Sequence, residues 1–505
     1  MRVNWKLLLS TIVFGLCIAP TIISYQPYSF RWDDSDYLLR SIAVSRAFWS
    51  GNRHGMRIVM VDIHPPVMTL LGLPWGPLTS WDAAGKCFIT LTALLALFVA
   101  CCLFLLLRIG LKPLYFVIAS VCVFAALGPY PAGADAHFFA TGLGSDCLFA
   151  WSAFAALLLI PYEATTHTSS TTGSLVRGVL WGLIFSVGAI TKVSFLYFIV
   201  LIIPILFIVG MRQRGLRSVL LSSISLIVCS FPVTIYVLRY GLPAVMNGWA
   251  ASFGHDAPFY SISLTQFVSD TVRQSPGILL SAMFVAAGMV YLVVKRRDVG
   301  WATNVLPLLI MVGYCAISLA SSNREIRYLF PAIIALPFLV ALLISRETYQ
   351  FPRRSAAIAA IVAFCCLLAA GLPTLHRANR QSIARSEAVL AQAVASNAKR
   401  VLLATDSRTL NVDLMRLAAA VSPSLPQVES DTLAYHAFNG TRIEDDFRDI
   451  RESDLIVFQD QEALQPAFTN QRVAEYEQYT RQYGGEVPVK VAGDISIYRI
   501  NQNSR

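Results

Sequence analysis

Three acidic residues lie within four positions, just after the first long apolar stretch. These are Asp33, Asp34 and Asp36, and Tyr37 follows them directly. One acid there would be explained as a helix N-cap, because a carboxylate accepts hydrogen bonds from the free N–H groups of a first turn. Three acids are more than capping needs. Adjacent carboxylates near a membrane surface raise one another's pKa, so one of them can act as a general base, and together they could hold a divalent metal.

Two further acidic motifs occur later in the chain. Asp62 and His64 precede a pair of prolines. This segment is either a polar turn before a proline-initiated helix or a site where His64, at a helix N-terminus, helps to bind an anion such as phosphate. Asp146 lies at the start of another apolar stretch, where an ionisable side chain is costly and marks a functional candidate. An interfacial N-cap is the alternative explanation for Asp146.

Two basic motifs complement these acids. Lys192 follows Thr191 between two apolar stretches that have almost no loop between them. It either extends to lipid headgroups or binds an anionic headgroup as a point charge. Arg327 and Tyr328 lie in the segment 324–331, which leads into another apolar stretch. That segment is either an ion-paired loop or a phosphate clamp with the tyrosine at the membrane interface.

The composition decides what kind of chain must position these residues. Of 505 residues, 56% are hydrophobic and 14% are charged, whereas soluble globular proteins average about 25% charged residues. One soluble core cannot bury that much apolar surface. A soluble enzyme, a disordered chain and a secreted disulfide scaffold are excluded, which leaves an integral membrane protein.

The adjacent pairs Cys101–Cys102 and Cys365–Cys366 lie inside apolar runs and suit neither a zinc site nor a disulfide framework.

The apolar stretches predict the number and orientation of the spans. Each spanning helix needs about 20 mostly apolar residues, and eleven stretches qualify, at 7–25, 86–107, 114–128, 144–161, 177–191, 193–210, 218–238, 276–294, 301–320, 328–345 and 355–373. The first lacks a convincing cleavage site, so we predict a retained helix rather than a signal peptide. Basic residues are concentrated in alternate loops, which predicts a cytoplasmic N-terminus and an external C-terminus. The net charge of +10 therefore reflects topology rather than a nucleic-acid partner. In this orientation Glu163, Arg177 and Arg214 lie in cytoplasmic loops.

The chain beyond the spans contains two structured parts. The first external loop, 26–85, is longer than most helix connections and contains two predicted interfacial helices, at 35–49 and 67–73. The predicted architecture is an α-helical polytopic membrane region of about eleven transmembrane helices over 1–374, followed by an external α/β domain over 375–505. In that domain the apolar patterns predict strands and one helix, at 401–404, 455–458 and 495–500 for the strands and at 412–420 for the helix.

The orientation brings these motifs to one face of the membrane. External acids, the external Lys192 and Arg327, and interfacial helices together favour a lipid-linked phosphate substrate handled at the outer face. The sequence has no glycine-rich loop of the nucleotide-binding kind. A lipid phosphate is therefore favoured over a nucleotide as the donor.

The order of the motifs resembles one family, the integral-membrane glycosyltransferases of the GT-C superfamily, in the protein-mannosyltransferase-like group that includes family 39, family 83 and the lipid A aminoarabinose transferases. The segment 33–37 has that group's acid-acid-x-x-Tyr form, and His64-Pro65-Pro66 resembles its basic-Pro-Pro motif, although some relatives have lysine there. Asp146 heads an external helix end, and Thr191-Lys192 resembles a Thr-Lys pair between closely linked spans. Arg327-Tyr328 with Pro331 resembles an Arg-Tyr-x-x-Pro pattern. The matching order covers residues 1–345.

The resemblance implies a sugar donor on a polyprenyl phosphate, contact with membrane lipids, and a glycan, lipid or protein acceptor. It implies a multi-pass protein of the cell inner membrane that inverts the anomeric carbon by direct displacement. The resemblance implies Asp34 or Asp33 as general base, although Asp36 leaves that assignment open, and Asp146 as a second acid that orients the acceptor or a metal. It implies Lys192, His64 and Arg327 on the phosphate, and Asp36, Tyr37 and Tyr328 as further substrate contacts. A divalent metal is the one possible cofactor, with Asp62 and Asp146 as candidate ligands.

Two other functions compete with this prediction. A transporter or lipid flippase would use buried acids to carry ions or protons, but transporters often contain internal repeats and the sequence has none. A non-catalytic assembly protein would use the external domain to bind partners, but it leaves the acids of the first loop unexplained.

Overall fold

The structure is a computed structural model, and it describes residues 5–22, 32–53, 66–79, 82–128, 145–165, 170–241, 263–294, 305–321, 324–345, 351–371, 380–407, 410–422, 428–434, 436–437, 441–459, 472–482 and 488–500. The chain divides into two compact units. The first comprises Met1–Tyr25, Met60–Met68 and Ile89–Pro373, and the second comprises Gln26–Val59, Thr69–Phe88 and Thr374–Arg505.

Helices make up most of the chain before residue 373. In chain order they are α1 (Trp5–Ile22), α2 (Trp32–Trp49), α3 (Pro66–Leu70), α4 (Asp82–Ile109), α5 (Pro113–Leu127), α6 (Asp146–Thr165), α7 (Thr171–Thr191), α8 (Leu196–Arg214), α9 (Leu216–Tyr236), α10 (Leu264–Gln274), α11 (Gly277–Val294), α12 (Leu306–Ala320), α13 (Phe330–Ser345) and α14 (Arg353–Gly371). Short 3-10 turns at Leu73–Trp75, Val193–Phe195 and Ile326–Leu329 connect some of them.

The chain is a multi-pass membrane protein. Within the described ranges, eight helices are long and apolar enough to cross a membrane. Three other stretches that the sequence predicts as spans form shorter apolar helices, at Leu7–Thr21, Pro113–Leu127 and Leu306–Ala320. The helical fold class is therefore confirmed, whereas the exact number of spans and their orientation stay predictions.

Burial separates a central helix of the first unit from peripheral ones. Helix α6 is buried from Asp146 to Glu163, as expected for a helix that is apolar all round. Helices α11 and α14 bury little of their surface. Their exposed apolar side chains, such as Val293 and Ile361, suit contact with lipid.

Helices α7 and α9 approach each other closely through small residues. Ser174, Gly178 and Gly182 recur every fourth position along α7, and all three are buried. A Cβ atom added at Gly178 would overlap the backbone oxygen of Ser222 on α9. This pairing through small residues replaces the hydrophobic driving force that is missing between helices in lipid.

The second unit contains a five-stranded mixed sheet. Its elements after residue 373 are α15 (Arg380–Ala395), β1 (Arg400–Leu403), α16 (Val412–Val421), β2 (Glu429–Thr432), α17 (Ile443–Glu452), β3 (Leu455–Gln459), α18 (Val473–Gln482), β4 (Val489–Val491) and β5 (Ile495–Arg499). The strand order is β2-β1-β3-β5-β4. Strands β1, β2 and β3 are parallel, and β5 runs antiparallel to β3 and β4.

Both faces of this sheet are apolar. Val401 and Val457 join one core cluster, and the alternate residues Leu402 and Ile456 join another. Continuous apolar runs are typical of such doubly covered strands, which is why the sequence predicts β1 and β3, whereas β5 is predicted from alternating apolar residues. Strands β2 and β4, at the two sheet edges, escape prediction because β2 is polar and β4 is only three residues long.

Candidate functional site

An ion pair joins the start of α6 to the end of α7. The Lys192 Nζ donates to Asp146 Oδ1 at 2.5 Å. Asp146 is the first residue of α6 and is 5% exposed, and Lys192 is the C-cap of α7, where its backbone N–H donates to Gly188 O at 3.2 Å. The two residues that the sequence predicts in separate motifs therefore lie in contact.

Aromatic rings surround the ammonium of this pair. Lys192 Nζ lies 4.5 Å from the ring centre of Tyr328 and 5.7 Å from that of Phe149. Ring faces attract a cation, and more strongly where water is excluded. Phe149 in turn packs against other rings, namely Phe195, Phe198 and Tyr314. The ammonium is thus held by one carboxylate and two ring faces.

A glycine allows the turn that places Lys192. A Cβ atom added at Gly188 would overlap the ring of Phe195. The 3-10 turn Val193–Phe195 can fold back over the last turn of α7 only because Gly188 has no side chain. The sequence pattern singles out the Thr-Lys pair but not this glycine. Its position four residues before Lys192, one helical turn away, is the feature that could have indicated its role.

Arg327 adds a second cation beside the same tyrosine. Its Nε lies 2.6 Å from Glu325 Oε2, and its guanidinium carbon lies 5.5 Å from the ring centre of Tyr328. Tyr328 therefore contacts both cations. The structure brings together Asp146, Lys192, Arg327 and Tyr328, and it shows Arg327 in the ion-paired arrangement that the sequence left as one of two alternatives.

The acidic motif of the first loop belongs to the second unit. Asp33 and Asp34 lie in the first turn of α2, but their side chains are outside the described part of the chain, as are Asp62 and His64. Asp36 accepts a hydrogen bond from Arg40 Nε at 2.7 Å, one helical turn away. Tyr37 is buried. Asp36 is thus engaged with a guanidinium on its own helix.

The described residues offer a poor fit for a metal. They contain no group of three or more histidine, cysteine, aspartate or glutamate side chains that could hold a metal ion. The carboxylate of Asp146 lies against the Lys192 ammonium, and that positive charge opposes a second cation. We therefore derive no step through a metal.

A buried charged cluster lies where the sequence predicts cytoplasmic loops. Glu163 is inside α6, and its Oε2 lies 2.7 Å from Arg214 Nη2 and 3.9 Å from Arg177 Nη1. All three residues are buried, and Arg214 also donates to Ser218 Oγ at 3.1 Å. The prediction that these residues lie in loops is wrong, because they lie within α6, α7 and α8, where the one glutamate contacts both arginines. In the sequence, the recurrence of serine along α7 and α9 is the feature that could have indicated a buried polar contact here.

The sheet domain holds a second buried polar cluster that the sequence patterns do not reveal. Asp446 is fully buried and accepts hydrogen bonds from Tyr476 Oη at 2.6 Å and Arg472 Nη1 at 2.9 Å. The Nδ1 of His436 lies 2.7 Å from the same carboxyl group. Burial raises the pKa of the Tyr476 phenol, and its hydrogen bond to the Asp446 carboxylate raises it further.

Comparison with known proteins gives few matches to this chain. No protein-family model matches it, and no curated protein matches it in sequence. It is similar to a crystal structure of ArnT from Cupriavidus metallidurans in the apo state, with 12% identity, a TM-score of 0.47, and coverage of 99% of this chain and 98% of the other. For ArnT from the same organism bound to undecaprenyl phosphate, the identity is 14%, the TM-score 0.48 and the coverage 98% and 97%. These values are too low to assign a family or an activity to this chain, so its function must be inferred from its own residues.

Proposed function

We propose that this chain is a membrane glycosyltransferase that moves a sugar from a polyprenyl-phosphate donor to an envelope glycan, lipid or protein at the outer face. The observation that carries the proposal is the Lys192 ammonium, held at a helix end by Asp146 and two aromatic rings. A cation that is partly shielded from water interacts more strongly with an incoming phosphate than a fully exposed one does. Arg327, which shares Tyr328 with Lys192, is the second cation of the proposal, and its Glu325 partner holds it in place beside that ring.

The proposed reaction is a direct displacement. A carboxylate of the first turn of α2, Asp34 or Asp33, takes the proton of an acceptor hydroxyl as general base. The hydroxyl oxygen bonds to the anomeric carbon while the bond from that carbon to the phosphate oxygen breaks, which inverts the configuration. The electron pair leaves with the polyprenyl phosphate, whose negative charge Lys192, Arg327 and His64 neutralise.

Asp36 and Tyr37 have different proposed roles from the base. The Asp36 carboxylate is paired with Arg40 at 2.7 Å, an i,i+4 pair that stabilises α2. The Arg40 guanidinium occupies the Asp36 carboxylate, which leaves this carboxylate less available to an acceptor hydroxyl. We therefore assign the base to Asp34 or Asp33, and we assign the buried Tyr37 to holding α2 rather than to substrate contact.

A deletion strain tests the proposal. Mass spectrometry of its envelope glycans should show that one sugar residue is missing, and the wild-type gene should restore it. Asp34→Asn and Asp33→Asn, tested singly at equal protein levels, should include at least one variant that fails to restore the sugar. Asp82→Asn is the matched control, because Asp82 forms an exposed i,i+4 pair with Lys86 and should restore it fully. An unchanged glycan profile in the deletion strain would contradict the proposed glycosyltransferase activity.

A transporter or flippase is the second candidate, and one observation favours it. Ionisable residues buried inside a helical bundle, as Glu163, Arg177 and Arg214 are, often mark ion or substrate pathways in membrane proteins. This function predicts flux of a lipid-linked or anionic substrate across sealed vesicles with no new glycosidic product. Glu163→Gln should then abolish the flux, whereas the α2 acid variants should not change it.

A further inference from the structure

Helix α2, which carries the candidate base, is attached along its length to a neighbouring turn of the second unit. Ser41 Oγ accepts from Gly72 N at 2.8 Å, Ser45 Oγ donates to Gly76 O, and Trp49 Nε1 donates to Leu73 O at 3.1 Å. A Cβ atom added at Gly72 would lie 2.7 Å from Ser41 Oγ. The turn at 72–78 therefore follows α2 closely.

The other support of α2 is the sheet domain, because α2 packs against α16. Buried residues recur on α2 every three or four positions, as Leu38, Ser41 and Ser45 illustrate. That period gives a rigid helix with one continuous packed face. The orientation of the first turn of α2 therefore depends on what holds its last turns.

Arg46 joins all three segments with one side chain. Its Nε donates to Leu78 O at 2.7 Å, and its Nη2 donates to Ala420 O at 2.9 Å. Ala420 lies in the last turn of α16, where carbonyl groups have no partner within the helix and where a cation is favoured by the helix dipole. The planar guanidinium can satisfy two carbonyls at fixed angles, which a lysine ammonium cannot reproduce.

We propose that Arg46 is a positioning residue through which the C-terminal sheet domain sets the orientation of the acid-bearing helix. The inference rests on the proposed function for its effect on catalysis. It assigns the external domain a role in the reaction without any contact with the substrate. Loss of these two hydrogen bonds lets the first turn of α2 move, and a displacement of about 1 Å of a catalytic group can cost about 100-fold in rate.

The test compares Arg46→Ala, Arg46→Lys and the matched control Arg416→Ala in the full-length protein. Arg416 also donates to a backbone carbonyl of the sheet domain, Ser430 O at 2.9 Å, but does not touch α2 in any hydrogen bond of the described chain. Hydrogen–deuterium exchange of the purified proteins should show faster exchange in α2 for Arg46→Ala only. Sugar content of the complemented deletion strain should fall about 10- to 100-fold for Arg46→Ala, with Arg46→Lys in between.

Binding of undecaprenyl phosphate to the purified variants separates positioning from collapse. Arg46→Ala should bind this lipid within about twofold of wild type. A substitution that only misplaces the base lowers the rate of transfer without weakening the binding of the lipid. Loss of lipid binding together with transfer, or wild-type exchange and wild-type sugar content, overturns the inference. If the Asp33 and Asp34 variants both keep full transfer, the proposed base is wrong. If one of them is inactive and Arg46→Ala is fully active, the inference alone is wrong.

Discussion

Lys192 illustrates how the surroundings of a single side chain change what that side chain can do. A lysine at an external turn would ordinarily extend into the headgroup region. In this protein Asp146, Tyr328 and Phe149 hold the ammonium instead. The carboxylate at the start of α6 holds this cation, and its place in the first turn is one where the helix dipole favours a negative charge. The pair is only partly exposed, which places its strength between those of surface and buried ion pairs.

Removing Asp146 should separate the stability of the pair from its function. Asp146→Asn should destabilise the protein by about 2 kcal/mol, between the values for exposed and buried pairs, and should abolish sugar transfer. Adding Lys192→Met to that variant should recover most of the stability, because no unpaired charge remains, but not the transfer. Thermal unfolding and glycan analysis measure the two effects. Recovery of transfer in the double variant would show that the ammonium has no role.

We expect Tyr476 to make the stability of the sheet domain depend on pH in the alkaline range. Its pKa is raised in the folded state by burial and by the Asp446 carboxylate, so the folded state holds the proton more tightly than the unfolded state. The stabilisation is complete below the unfolded pKa of about 10 and is lost as the pH rises above that value. The difference in unfolding free energy between wild type and Tyr476→Phe should be constant from about pH 7 to 9 and should shrink above about pH 10. A difference that stays flat to about pH 12 contradicts this assignment.

At the scale of elements, helix packing in the first unit depends on small residues and on one charged cluster. Ser174 and Gly178 allow α7 to reach α9, and Glu163 links α6 to Arg177 and Arg214 at the ends of α7 and α8. The hydroxyl of Ser222 donates to Ser174 O at 2.9 Å, across the same helix pair. These polar groups are buried, and each contact reduces the cost of burying them.

A larger residue at the α7–α9 contact should separate the helices. Gly178→Leu places a side chain where the Ser222 carbonyl lies, so we expect a destabilisation of at least about 2 kcal/mol from overpacking. Val176→Leu is the matched control, since Val176 is on the same helix and 62% exposed. Thermal unfolding in detergent measures both variants. Equal melting temperatures for the two would show that the close approach is not needed for stability.

At the scale of the whole molecule, the orientation in the membrane decides whether the proposed chemistry is external. Val489 in the sheet domain and Arg217 at the start of α9 are both exposed, and the positive-inside rule puts them on opposite faces. Val489→Cys should react with a membrane-impermeant maleimide in intact cells, and Arg217→Cys only after permeabilisation. The wild-type protein, labelled in the same way, is the control for the reaction of its natural cysteines with the maleimide. The reverse result would place the acids and Lys192 in the cytoplasm and contradict a donor used at the outer face.

The sequence by itself determined the class of the protein and much of its element order. Hydrophobic runs can be buried only in a membrane or between two layers, so the composition predicts the spans, and the short apolar patterns predict β1, β3 and β5. The motifs around Asp146, Lys192 and Arg327 are predicted as separate candidates from their positions next to apolar stretches. Strand β2, with the sequence Glu-Ser-Asp-Thr, could not be predicted because its pairing with β1 does not depend on its side chains.

The tertiary structure alone decided which charges meet. Nothing in the spacing of Asp146 and Lys192 along the chain, or of Glu163 and Arg214, sets their distance, since it depends on how α6, α7 and α8 pack. The same holds for Arg46 and Ala420, which are 374 positions apart. Electrostatic and hydrogen-bond energies fall off within a few ångströms, so they depend on three-dimensional neighbours, whereas the transfer of a side chain out of water depends mainly on its own type.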